Sequence, residues 1–137
     1  MKLITRDTDY AVRALSCIAA AGNRVISVKE LTEKLKIPKP FSRKILQVLN
    51  KKRILKSYKG KGGGFALAVP PQRISLTDLM DIFQGPFCLN EHILKKKICP
   101  NVDTCELKKK IDAIEKMVYS ELKKITIAAL LKKEKKA

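Results

Sequence analysis

From Lys39 to Val69 the chain reads KPFSRKILQVLNKKRILKSYKGKGGGFALAV, and two periodicities meet in it. In the first half, Phe41, Ile45, Leu46, Val48 and Leu49 repeat at helical spacing. A helix is expected from Lys39 to about Lys51, with Pro40 in the first turn, where a missing N–H is harmless. Its other face then presents Lys39, Ser42, Arg43 and Gln47. The second half holds two short β-prone runs, 54–58 and 65–69, joined by Lys59-Gly60-Lys61-Gly62-Gly63-Gly64, which predicts a hairpin with a flexible cationic tip. The glycine run fails as a phosphate-cradling loop, because no Gly-Lys-Ser/Thr follows it and no helix opens after it.

Upstream, Tyr10, Ala11, Ala14, Leu15, Ile18 and Ala21 mark one face of a helix over about Asp7 to Ala21, closed by Gly22-Asn23. Cys17 lies beside that face and reads as a small buried hydrophobe. Ser27 and Glu30 have the spacing of a capping box that opens a short helix through Leu31 and Leu35. Three helices followed by a hairpin is the layout of a winged helix-turn-helix, in which the third helix enters the major groove and the hairpin, or wing, touches the adjoining backbone. The expected fold is therefore mainly α with a small β-hairpin, and residues 1–75 form a DNA-binding domain.

Downstream, Ser75 and Asp78 open a fourth helix with Leu76, Leu79, Met80 and Phe83, stopped by Gly85-Pro86. That helix and a cysteine-containing loop occupy 76–103. Leu107, Ile111, Ile114, Val118, Leu122 and Ile125 then predict one long amphipathic helix over 104–131, leaving 132–137 as a frayed tail. So long an apolar stripe on so small a domain needs a covering surface, and a second copy of the chain supplies it as a two-fold homodimer.

The charge agrees with this reading. Lys and Arg number 30 against 13 Asp and Glu in 137 residues, a formal net charge of +17, which calls for a polyanionic partner, double-stranded DNA first. Residues 1–75 hold 17 of the cations and only 4 of the acids, and between Glu33 and Asp78 lie twelve cations and no acid. Pro40, Ser42 and Arg43 are the candidates for base edges, while Lys39, Lys44, Lys56, Tyr58, Lys59 and Lys61 would hold phosphates. An enzyme is not expected, since the single histidine has no carboxylate pair near it in sequence. The opening MKLITRDTDY carries charges where a signal peptide needs its apolar stretch, and no run approaches the ~18 apolar residues of a membrane span. A cytoplasmic protein with no membrane partner is expected, gathered on the nucleoid when bound to DNA.

In a reducing compartment, cysteines favour metal or redox chemistry over disulfides. Cys88, Cys99 and Cys105 are spaced C-x(10)-C-x(5)-C, leading into the long helix. Zinc would take His92 as a fourth ligand, and an iron-sulfur cluster would take these three thiolates plus one ligand from elsewhere. Spacing does not choose between them. Cys105 falls at the start of the long helix, where the dipole favours a thiolate.

Several stretches carry a family likeness: Thr8-Asp9-Tyr10-Ala11-Val12-Arg13-Ala14-Leu15, Gly60-Lys61-Gly62-Gly63-Gly64-Phe65-Ala66-Leu67, Ile74-Ser75-Leu76-Thr77-Asp78, and Cys99-Pro100 with Cys105-Glu106-Leu107. Over nearly its whole length the chain resembles the Rrf2 family of bacterial winged-helix transcription regulators, which includes IscR-like, NsrR-like and CymR-like members. The resemblance implies a homodimer crossed through the long helix that reads a pseudo-palindromic operator, usually as a repressor. In cluster-binding members it implies an iron-sulfur centre, 4Fe-4S or 2Fe-2S, responding to redox state, nitric oxide or iron supply. The fourth ligand separates the types. IscR-like members have a histidine three residues after the last cysteine, where this chain has Lys108. NsrR-like members use an aspartate early in the first helix of the other subunit, which Asp9 matches, with His92 as the rival. CymR-like members imply the alternative of a cluster-free regulator controlled by thiol chemistry or a partner protein. Arg53 stands where the family frequently has a helix-ending glycine.

Overall fold

The computed structural model describes residues 3–89 and 105–134, the last three of these by backbone alone. The order of elements is α1 (Arg6–Ala20), α2 (Val28–Leu35), α3 (Lys39–Lys51), β1 (Leu55–Tyr58), β2 (Gly64–Leu67), α4 (Leu76–Gln84), α5 (Glu106–Lys123) and α6 (Ile127–Glu134), with a short 3-10 turn at Pro71–Arg73. This is the mainly helical, hairpin-bearing architecture that the sequence predicts.

Every helix but α3, which opens on Pro38 and Pro40, starts where a side chain can accept from an orphan backbone amide. Thr5, Ser27 and Ser75 do so for α1, α2 and α4. The Ser75–Asp78 box is complete in both directions, whereas at α2 only the serine half forms. There Glu30 turns instead to Arg24, whose guanidinium meets both carboxylate oxygens at 2.9 and 3.1 Å. That hydrogen-bonded pairing holds the Glu30 carboxyl below the usual carboxylate range. Arg53 takes a left-handed φ of 62° just after α3 and performs the turn that glycine would make without strain.

The main core gathers Ala11, Leu15 and Ile18 of α1, Leu31 of α2, Ile45, Leu46 and Leu49 of α3, Leu55 of β1 and Leu79 of α4. The hairpin is antiparallel, with Leu55 opposite Leu67 and Tyr58 opposite Gly64. Its root is stitched to the α1–α2 connection by an isolated bridge, in which the Ile26 and Phe65 amides each donate to the other's carbonyl at 2.9 and 2.8 Å. Gly64 is required there, because a Cβ would run into the Ile26 carbonyl oxygen.

The single helix expected over 104–131 is two helices. The chain leaves α5 at Lys124, Ile125 accepts from the Leu76 amide at 2.8 Å, and Ile127 donates to Ile74 at 3.0 Å. Thr126 then accepts from the Ala129 amide at 3.1 Å and starts α6, which lies along α1 with Ile127 buried in the main core. A β-branched Ile-Thr-Ile run favours this extended bridge over helix continuation. Leu122 consequently packs with Leu76 and Met80, joined by Val118 and Ile125, and not on the outward stripe. The first three residues of the expected frayed tail, 132–134, belong to α6, and 135–137 lie outside the described residues. No described helix is long and apolar enough to cross a membrane.

Candidate nucleic-acid interface

Two elements project the cations. Along α3, Lys39, Pro40, Phe41, Arg43, Lys44 and Gln47 are exposed, while Ser42, Ile45, Leu46 and Leu49 are buried. The buried set has the i, i+3, i+4, i+7 spacing that faces a helix onto a core. Ser42 and Phe41 therefore exchange the places expected of them. Ser42, expected to reach base edges, points inward and its hydroxyl has no hydrogen-bond partner among the described residues. Phe41 stands outside, 40% exposed, edge-on to Tyr10 and beneath the Arg6 guanidinium.

In the hairpin, Lys56 and Tyr58 face solvent from β1, and Lys59 and Lys61 occupy the tip, which Gly60 and Gly62 turn at φ of 89° and 80°. Among the described residues, the ion pairs are Arg13–Asp9, Arg24–Glu30, Lys34–Glu30, Lys108–Asp112, Lys109–Glu106 and Lys124–Glu121. None of these involves a cation of α3 or the hairpin. The positive charge on this face takes no part in ion pairs with the acids among the described residues, as a phosphate-binding surface requires.

The start of α1 beside α3 is fixed from the far end of the sequence. The Gln84 carbonyl accepts from the Thr5 amide at 3.1 Å and the Thr8 hydroxyl at 2.7 Å, and its amide donates to Leu3 at 3.0 Å. Gln84 is the last residue of α4 and lies four positions before Cys88.

Of the expected metal ligands, Cys88 is exposed beyond α4, and Cys105 caps α5, its sulfur accepting from the Lys108 amide at 3.4 Å. Asp9 lies in the first turn of α1 with its carboxylate 3.1 Å from Arg13. Cys99 and His92 lie outside the described residues. Among the described residues no three Cys, His, Asp or Glu side chains gather as a metal site. The donor chemistry suits a cluster nonetheless: the two described thiols flank the stretch that carries Cys99, and one of them sits at a helix start with its sulfur accepting a backbone amide. Sequence reasoning missed Phe41, Arg6, Gln84 and Met117. The spacing of 42, 45, 46 and 49 could have exposed the first, and nothing local in sequence marks Gln84.

The profile of the family described as Rrf2, iron-dependent transcriptional regulator, matches residues 4–133. A protein of Aquifex aeolicus described as an HTH-type transcriptional regulator is 30% identical over 129 residues, covering 93% of this chain and 90% of that one. Among solved structures, CymR, titled the global cysteine regulator of B. subtilis, superposes with a TM-score of 0.79 at 19% identity, covering 96% of this chain and 98% of that one. IscR of T. potens superposes with a TM-score of 0.75 at 25% identity, covering 98% and 88%.

Proposed function

Because the chain belongs to the Rrf2 family of transcriptional regulators, we propose that it is a homodimeric, operator-specific DNA-binding repressor whose affinity is set by an iron-sulfur cluster. One observation carries the DNA-binding half of this reading: the α3 and wing cations are exposed and take no part in the ion pairs of the described residues. Pro40 and Arg43 read base edges from α3. Lys39, Lys44, Lys56, Tyr58, Lys59 and Lys61 hold phosphates on either side.

Dimerisation uses the outward face of α5, where Leu107, Ile114 and Met117 are 70, 48 and 68% exposed. Cys88, Cys99 and Cys105 would hold the cluster, with Asp9 of the partner subunit as fourth ligand and His92 as the rival. When bound, such a cluster supplies a centre sensitive to oxygen, nitric oxide and iron supply. A carboxylate is a hard donor and a poorer match for cluster iron than thiolate, so the Asp9 bond is the labile one. Ligation through Asp9 would tie one subunit's α1 to the other's frame and so set the spacing of the two α3 helices, which is what a two-fold operator measures. The Asp9–Arg13 ion pair favours a second reading, a cluster-free regulator switched by thiol chemistry or a bound protein.

Anaerobic purification with iron, sulfide and zinc analysis separates these readings. Brown protein with matched iron and sulfide supports the cluster, zinc alone a structural metal site, and colourless metal-free protein the thiol or partner mode. Cys88→Ser, Cys99→Ser and Cys105→Ser should each abolish the chromophore, Asp9→Ala should leave it labile, and Cys17→Ser should not change it. Loss of the centre in His92→Ala with a normal Asp9→Ala would move the fourth ligand to His92. On the DNA side, Arg43→Ala should relax preference at one base position at a cost of about 1–3 kcal/mol. Uniform weakening across sequences would make Arg43 a phosphate contact only.

A further inference from the structure

Phe41 is the third residue of α3, in the turn whose side chains meet base edges when a recognition helix enters the major groove. Its ring is held on two sides. The Tyr10 ring meets it at 6.4 Å and an interplanar angle of 65°, and the Arg6 guanidinium carbon lies 5.7 Å from its centroid. Both holders belong to the start of α1, which Gln84 fixes through Thr5 and Thr8. A ring so restrained loses little rotamer freedom when it meets a surface.

The ligand follows from what the ring leaves open. With Arg6 over one face, Phe41 cannot slide between base steps, because stacking there needs both faces. What remains is an exposed apolar edge in the same turn as Pro40 and Lys44. Among the base edges of the major groove, the apolar group is the thymine methyl. We propose that Phe41 is a specificity-determining residue that reads one thymine methyl in each operator half-site, a claim that rests on the DNA-binding reading above.

The test removes the methyl and nothing else. The full-length protein selects its preferred duplex from a random pool, and each thymine of that duplex is then replaced singly by deoxyuridine and titrated by fluorescence anisotropy at fixed salt. Wild type should lose about three- to fivefold in affinity at one thymine per half-site, the value of one apolar carbon removed from contact. Phe41→Ala should bind more weakly and show a thymine-to-deoxyuridine ratio near one at that position, and Phe41→Leu should keep part of the discrimination. Should Phe41→Ala melt below wild type, the comparison is made with Phe41→Leu. A selected half-site without thymine under α3, or deoxyuridine losses identical in wild type and both variants, overturns the proposal while leaving the DNA-binding reading intact. A wild-type protein that selects no sequence at all sinks both.

Discussion

Ser42 carries a hydroxyl sealed in the core with no hydrogen-bond partner among the described residues, an arrangement that costs about 1–3 kcal/mol. Ser42→Ala should therefore stabilise the protein by roughly 1 kcal/mol and raise Tm by a few degrees, with operator affinity unchanged in anisotropy titrations. A loss of base preference in that variant would return Ser42 to the DNA surface. The exchange of Ser42 and Phe41 shows what hydrophobicity alone conceals. An aromatic side chain looks like core and a hydroxyl like surface, yet adjacent helical residues point about 100° apart, and Phe41 falls outside the face centred on Ser42, Ile45, Leu46 and Leu49. The i, i+3, i+4, i+7 series beginning at Ser42 is the more regular one, and packing followed geometry over side-chain chemistry.

At the scale of elements, helix starts and the hairpin were legible because their signals are local: Ser27, Ser75 and Pro40 mark starts, and a glycine-rich tip lies between β-prone runs. The wing's role is testable through salt. Replacing Lys59 and Lys61 with Ala should reduce the magnitude of the salt slope of operator binding by about one per lost phosphate contact, with sequence preference kept. A changed preference at constant slope would contradict the wing assignment. The break after α5 was not legible, since the apolar spacing continues through Ile125 while the event that ends the helix is a backbone bridge to Ser75, fifty-one residues away. Val118, Leu122 and Ile125 of the expected stripe pack inward, while Leu107 and Ile114 stay exposed with Met117 beside them. Ile114→Glu would set an unpaired charge against its own symmetry mate, a cost of several kcal/mol per site, and sedimentation should then show monomers. A dimer of wild-type affinity in that variant would place the interface elsewhere.

For the whole molecule, the consequence of the bridge is that the chain returns after α5 and closes the core of α1–α4 with α6. Ile127 is buried with Ala11, Leu15 and Ile18, and Leu130 packs against the same cluster. Deleting residues 124–137 should strip that cover and cost about 2–5 kcal/mol or more, so that circular dichroism shows a markedly lower Tm than wild type. An unchanged Tm would make α6 an accessory. The fold's connectivity was legible from the order of its signals, but the fourth ligand of the proposed cluster was not. A ligand drawn from a second copy would depend on how two chains cross, which no period within one chain encodes. That late cover also bears on synthesis. Chains are made from the N-terminus onward, so a nascent chain can shape α1 to α4 early, yet the side of α1 that α6 covers stays bare until Ile127 has cleared the ribosome. A product stalled before that residue would carry every side chain proposed above to meet DNA and would still lack the last apolar piece of the core beneath them.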